Sequence, residues 1–329
     1  MNPPVENGEG DPVGTPSVTI ASTLTEALAA VADGATPVAG GTDLVVGHRQ
    51  GKAPLPQRLV AIDRLDELSG IGPTDDGGVR IGALVSHAQL MTDQAIVGHY
   101  TALADGAALI GSPATRAVGT LGGNVMNASP AMDTGAPLVV LGGTVELTSS
   151  DGARVVSPIE LWTGPGSTSA ASSELMAACL LPPRPPRSGS AYVRLEYRRA
   201  MEIAVVGAAA AISLDEAGDA TSLALALTAV GPTIIAVDGL EDLIGRPVDQ
   251  ALLEDVTERA SEQATPISDL RAGDAYRRHC VGVMARRALA AAQARAGGDN
   301  IAVPVNRSIG IGADGATATS TRIQALGGD

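Results

Sequence analysis

The amino-acid sequence predicts an α+β fold with two segregated domains. Three observations carry this reading. Helix-start signals and strand-like runs occur without regular β-α-β alternation. Hairpin-type turns join successive apolar runs, which favours antiparallel pairing. The segment Pro182-Pro183-Arg184-Pro185-Pro186-Arg187-Ser188-Gly189 divides the chain, because proline fixes φ and removes the amide donor that a helix or central strand needs.

Residues 1–16 are polar, rich in Pro and Gly, and read as a flexible arm. Val18-Thr19-Ile20 opens the first strand. Thr23 with Glu26 forms a capping box ahead of Leu24, Ala27, Leu28 and Val31 at helical spacing, and Gly34 is the stop. Pro37-Val38-Ala39 is a short strand that delivers the loop Ala39-Gly40-Gly41-Thr42-Asp43. Residues 58–64 and 79–84 read as strands around the turn-rich 72–78. Ser86 with Gln89 resembles another capping box, with helical patterns to about Ile110. Val145 and Leu147 alternate into the hairpin turn Ser149-Ser150-Asp151-Gly152, which leads to Val155. Apolar runs at 203–214 and 221–230 flank a turn at 215–219 and predict a small antiparallel sheet, followed by helices near 249–263 and 273–294. Residues 297–329 lack helical or strand periodicity and read as a loose tail, with an ordered arm along a partner as the alternative. The domains are therefore 17–181, in two subdomains of about 17–58 and 59–181, a linker at 182–190, and 191–296.

Hydrophobic residues make up 45% of the chain and charged residues 18%, as in a globular protein. Aromatics are 2%, with no Phe, so the core must be built from Ala, Val, Leu and Ile. A net charge of −14 argues against nucleic acid, which needs a Lys/Arg surface to release counterions. Cys179 and Cys280 form no C-x-x-C element, so this chain should carry neither an iron–sulfur cluster nor a structural zinc. His48, His87, His99 and His279 lack metal-ligand spacing and read as structural or solvent-exposed. No apolar signal region is visible, and no apolar run reaches the roughly 18 residues of a membrane span. The expectation is a cytoplasmic protein with no membrane span.

Chemistry concentrates in two loops. Gly119-Thr120-Leu121-Gly122-Gly123-Asn124 runs on to Ser129-Pro130-Ala131-Met132-Asp133, and Ala39-Gly40-Gly41-Thr42-Asp43 lies upstream. Glycine permits φ > 0 and removes the Cβ that would block contact, so consecutive N–H groups can turn towards an anion. Thr and Asn add donors, and Asp43 and Asp133 could accept from ribose hydroxyls or a ring N–H. Either loop alone could be an ordinary turn. Together they indicate a dinucleotide site, although neither has the G-x-G-x-x-G spacing of a Rossmann fold. There is no G-x-S-x-G elbow and no H-E-x-x-H, and Asp75-Asp76 and Glu241-Asp242 sit in polar contexts. No catalytic residue and no metal ligand is assigned.

The loop pair resembles the FAD-binding (medium) subunit of the molybdenum hydroxylases, the group containing xanthine dehydrogenase, carbon monoxide dehydrogenase and related bacterial enzymes. The first loop matches the family's A-G-G-T-D pattern, and the second its T-[IL]-G-G-N-x-x-x-x-S-P-x-x-D pattern. Arg198-Arg199-Ala200-Met201-Glu202-Ile203-Ala204, Asp269-Leu270-Arg271-Ala272 and Ala275-Tyr276-Arg277-Arg278 resemble its C-terminal segments, so the similarity spans roughly 17–295. The resemblance implies the vanillyl-alcohol-oxidase (PCMH) type of fold, with FAD between two α+β subdomains and a further domain beyond the linker.

It also implies a site. Val38, Ala39, Gly40, Gly41, Thr42, Asp43 and Leu44, with Gly119, Thr120, Gly122, Gly123 and Asn124, would line the pyrophosphate and ribityl chain. Ser129 and Met176 join this set, and Asp133 would lie near the ribose or adenine. Arg194 stands where some members place a Lys beside the flavin; a surface ion pair is its alternative. Tyr197 could pack near the isoalloxazine or be a plain core tyrosine, and Ile110 replaces an aromatic found in some relatives. With no His or Cys in either loop, FAD should be non-covalent. The implied partners are a small subunit with [2Fe–2S] clusters and a large subunit with a molybdenum–pterin cofactor, assembled as a dimer of heterotrimers. Electrons would pass from the clusters to FAD and on to NAD⁺, oxygen or a quinone-linked carrier. Thr42-Asp43 differs from the G-G-H-S loop typical of carbon monoxide dehydrogenase, which favours a xanthine-, aldehyde- or N-heterocycle-type enzyme. A self-contained FAD-dependent oxidoreductase of the same fold and a cofactor-less scaffold are the rival readings.

Overall fold

Residues 16–308 are described by the computed structural model. The first unit comprises β1 (Ser17–Ile20), α1 (Leu24–Ala32), β2 (Thr36–Val38), α2 (Leu44–Arg49) and β3 (Arg58–Ala61). Its strands are parallel, in the order β1-β3-β2. The chain thus alternates strand and helix locally, where the sequence predicts no such alternation. The short crossover through α1 allows it, because Ala27, Leu28 and Val31 bury one helix face against Val60, Leu65 and Leu68. Thr23 caps α1 by accepting from the Glu26 N–H at 3.2 Å, while the Glu26 carboxylate reaches back one residue further, to the Ser22 N–H at 2.7 Å. Because β3 is the central strand, this sheet extends past the boundary predicted near residue 58.

The second unit contains β4 (Ile71–Pro73), β5 (Val79–Gly82), α3 (His87–Leu90), α4 (Gln94–His99), α5 (Thr101–Leu109), α6 (Pro113–Val118), α7 (Leu121–Met126) and α8 (Gly135–Val140). It continues through β6 (Thr144–Ser149), β7 (Gly152–Val156), α9 (Pro158–Leu161), β8 (Trp162–Gly164), β9 (Ser167–Thr168) and β10 (Leu175–Leu181). The five-stranded antiparallel sheet has the order β4-β5-β10-β6-β7. The helical stretch after Ser86 breaks into three helices because Asp93 caps α4 afresh and Tyr100 leaves helical geometry. α5 is buried from Ala102 to Leu109, Asp105 included.

The proline segment 182–187 leads into β11 (Ser188–Leu195), β12 (Val206–Leu214), β13 (Ala220–Thr228), β14 (Ile235–Ala236), α10 (Gln250–Gln263), α11 (Asp274–Ala296) and α12 (Val305–Ser308). β11 to β14 form an antiparallel sheet in chain order. Both of its faces are covered. Ala191, Val193, Ala208 and Ala210 join the core under α11, whereas Tyr192, Ala209, Ala211 and Ala226 belong to the core of the preceding domain. Small residues make the close approach possible: a Cβ on Gly189 would lie 2.2 Å from the Ala292 carbonyl oxygen of α11.

The predicted loose tail is overturned as far as residue 308. Val305 and Asn306 are buried, anchored by polar contacts that leave no hydrophobic period to read. The rest of that tail, and residues 1–15 of the predicted arm, lie outside the described residues. No described helix is long and apolar enough to cross a membrane.

Candidate cofactor site

The fold joins the two glycine loops directly. A Cβ built on Gly40 would lie 1.9 Å from the Val118 carbonyl oxygen and 3.1 Å from the Gly119 nitrogen. The Thr42 hydroxyl is 3.5 Å from the corresponding Cβ position on Gly119. Strand β2 delivers the first loop, Gly41 turns it with φ +66°, and the Val45 N–H then closes onto the Gly41 carbonyl to start α2. Within that turn the N–H groups of Gly40, Gly41, Thr42 and Asp43 donate to no acceptor among the described residues. Four consecutive amides without an acceptor in a glycine turn are donors suited to an anion.

The second loop contributes differently from expectation. Its Leu121 and Gly122 amides donate to the Val85 and Ala83 carbonyls, and those of Gly123 and Asn124 to the Thr120 hydroxyl and carbonyl. These donors hold the loop's own fold and are not presented to a ligand. The glycines also divide by role. Gly122 is buried, with a Cβ position 2.7 Å from the Ala83 Cβ, and Gly119 sits against Thr115 and His87. Gly123 is exposed, and the only atom near its Cβ position is the Thr120 hydroxyl, at 3.1 Å. It is here that the second loop admits close approach.

Asp133 and Arg194 answer to each other. Asp133 is 6% exposed; its carboxylate accepts from the Tyr192 hydroxyl at 2.8 Å and from the Arg194 guanidinium at 2.5 Å. Arg194 is 0% exposed and also donates to Glu196 at 2.8 Å. Burial opposes its charge, but Asp133, Tyr192 and Glu196 outweigh burial and hold its pKa above the ordinary arginine value. Asp133 thus has both oxygens occupied within the protein, and Arg194 forms a buried ion pair where the sequence offered a surface one as the alternative. The cause is β11, which threads Arg194 through the interface between the domains.

The remaining predicted residues separate. Asn124 accepts from the Thr134 hydroxyl at 2.5 Å, and Ser129 accepts from the Ala131 N–H at 3.3 Å. Val38, Ala39 and Leu44 are half-buried beside the first loop, and Thr120 caps α7. Met176 is a core residue of β10. Ile110 ends α5, its carbonyl accepting from Arg116 at 2.8 Å. Tyr197 is 55% exposed, so it is no core tyrosine; its hydroxyl donates to the Arg271 carbonyl at 2.7 Å. The segment after it leans on the first domain, where the Met201 N–H donates to the Gly111 carbonyl at 3.1 Å.

His87, read from the sequence as structural or solvent-exposed, is a buried structural residue beside the second loop. It is 2% exposed, its ring Cδ2 lies 3.3 Å from the Gly119 Cβ position, and its Nδ1 has no partner among the described residues. Burial, then the nearby Arg116 guanidinium, holds its pKa down to about 4. Its N–H, just after the Ser86 cap, donates to the Gly119 carbonyl at 3.0 Å. Both cysteines are buried and free, and burial pushes the Cys179 thiol up to about 12. Among the described residues, no group of three His, Cys, Asp or Glu could hold a metal ion.

Comparison with known proteins accords with this geometry. Residues 14–184 match the family described as the FAD binding domain in molybdopterin dehydrogenase, and residues 190–292 match the CO dehydrogenase flavoprotein C-terminal domain. The chain is similar to the xanthine dehydrogenase FAD-binding subunit of Escherichia coli O157:H7, 33% identical over 284 residues that cover 84% of this chain and 96% of that protein. It is 31% identical over 271 residues to the carbon monoxide dehydrogenase medium chain of Afipia carboxidovorans, covering 82% and 92%. The structure of reconstituted CO dehydrogenase from Oligotropha carboxidovorans superposes with a TM-score of 0.81 at 29% identity, covering 86% of this chain and 99% of that one. The fold and the loop pair are those of an oxidoreductase subunit. The chain belongs to the family of FAD-binding subunits of the molybdopterin dehydrogenases.

Proposed function

We propose that this chain holds FAD non-covalently and relays electrons within a molybdenum hydroxylase. The observation that carries the reading is the run of unpaired amides from Gly40 to Asp43, set against the second glycine loop. Those amides fit the pyrophosphate oxygens, and they need no lysine, which suits a chain of net charge −14. The Thr42 hydroxyl and Asp43 carboxylate would offer a donor and acceptors to the ligand's polar chain, and the open Cα face of Gly123 would let it pass close to the backbone. The fold type would be that of the vanillyl-alcohol-oxidase group.

FAD, when bound, supplies a group that accepts electrons singly and delivers them in pairs. The protein's own residues would bind and orient it, and the sequence offers no evident set to activate an organic substrate. We therefore assign the electron source to a small subunit with [2Fe–2S] clusters and the substrate chemistry to a large molybdenum–pterin subunit, in a cytoplasmic dimer of heterotrimers. The Thr42-Asp43 loop favours a xanthine, aldehyde or N-heterocycle substrate for the complex.

The test is reconstitution. The isolated chain should take up FAD and fail to oxidise such substrates, while restoring both partners should give turnover. Turnover by the pure chain would establish a self-contained oxidoreductase, and a colourless chain that refuses FAD would establish a scaffold.

A further inference from the structure

The segment after α11 lies beyond residues 190–292, which the C-terminal family description covers, yet it is tied into both domains. Arg295, in the last turn of α11, donates to the Asp105 carboxylate of α5 at 2.6 and 3.0 Å and to the Ala302 carbonyl at 3.2 Å. The Val305 N–H donates to the same carboxylate at 3.1 Å. The next residue, Asn306, is 3% exposed and pairs with the backbone of Arg194, accepting from its N–H at 3.1 Å and donating to its carbonyl at 3.0 Å. β11 is the edge strand of its sheet, so Asn306 satisfies buried groups that no neighbouring strand reaches.

From Arg194 the contacts run on to the second glycine loop. The Arg194 guanidinium holds Asp133, and the adjacent Thr134 hydroxyl holds the Asn124 carboxamide. Each member is buried or half-buried, and each polar contact fixes the next. We infer that residues 297–307 form a clasp in which Asn306 is a positioning residue, holding Arg194 and Asp133, and through Thr134 the Asn124 end of the cofactor loop. The consequence for FAD rests on the function proposed above; the mechanical linkage does not.

Two single variants of the full chain test it. Asn306→Ala leaves the buried Arg194 N–H and carbonyl without partners. Val305→Ala removes methyl groups from a fully buried side chain while keeping the Val305 N–H on Asp105. Both should lower the melting temperature. Only Asn306→Ala should weaken FAD binding, by roughly tenfold in Kd, and speed hydrogen exchange at the Gly123, Asn124 and Met132 amides of the FAD-free protein. Should Asn306→Ala fail to fold, Asn306→Asp keeps the size and one of the two bonds, and exchange at the same amides decides.

The clasp is overturned if Asn306→Ala changes neither reading, or if Val305→Ala changes them as much. Should no form of the chain bind FAD while exchange responds to Asn306 alone, the clasp stands and the cofactor reading fails.

Discussion

The Val118 carbonyl occupies the space that a side chain on Gly40 would need. A Cβ there would sit 1.9 Å from that oxygen, so Gly40→Ala must part the two loops. The expected cost is about 1–3 kcal/mol from overpacking, with FAD uptake lost. Titration of the variant with FAD, beside a urea unfolding curve, measures both.

Gly123 offers the contrast. Its Cβ position is open apart from the Thr120 hydroxyl, so Gly123→Val should fold nearly as well as the parent and still refuse FAD. Full flavin occupancy in purified Gly123→Val would show that the cofactor does not pass over this face.

Breaking the buried pair should be expensive. Arg194→Met leaves the Asp133 carboxylate buried with only the Tyr192 hydroxyl and takes the arginine from buried Glu196 as well, a loss of about 3–5 kcal/mol. Adding Asp133→Asn removes one of the two stranded charges and should recover part of it. A double-mutant cycle by urea denaturation checks this; strict additivity would mean that the two residues act independently.

His87 makes stability depend on pH. Its folded pKa of about 4 lies below the 6.5 of the free side chain, so above pH 6.5 neither state binds the proton and its contribution is complete. As pH falls from 6.5 towards 4, the unfolded chain takes up a proton that the folded chain refuses, and stability drops by about 1.4 kcal/mol per pH unit. His87→Gln should flatten that part of the profile. Urea midpoints between pH 7 and 4 read it out, and an unaltered slope would remove His87 as the cause.

Acid precipitation should leave all flavin in the supernatant. His48, on α2, follows the first loop and is exposed, while His87 touches the second loop from a buried position and is held neutral. A yellow pellet would mean that one of them carries the cofactor covalently.

Local chemistry made much of this legible. The Thr23 and Ser86 caps, the turn after Ser149, the strands either side of Asp215 and the helices after Asp249 and Gly273 all follow from neighbouring residues. β10 did not, because residues buried on both faces show no alternation, and its partners β5 and β6 are set by long-range pairing. The site divided in the same way. Glycine pairs announce a turn and a close approach, but which amides stay unpaired depends on Val85 and Ala83 across the fold. Asp133 and Arg194 look available for a ligand until β11 brings them face to face.

The sheet of β11 to β14 is buried on both sides, with α11 on one and the preceding domain on the other. The proline segment is therefore a boundary in sequence that does not isolate the C-terminal module. A chimera spliced at residues 182–187 would inherit an α5 surface shaped for a different sheet. Alanine-rich β12 would then face side chains of the wrong volume, and Asp105 would be left without its arginine. Exchange between relatives should succeed only when α5 and the segment 188–307 travel together.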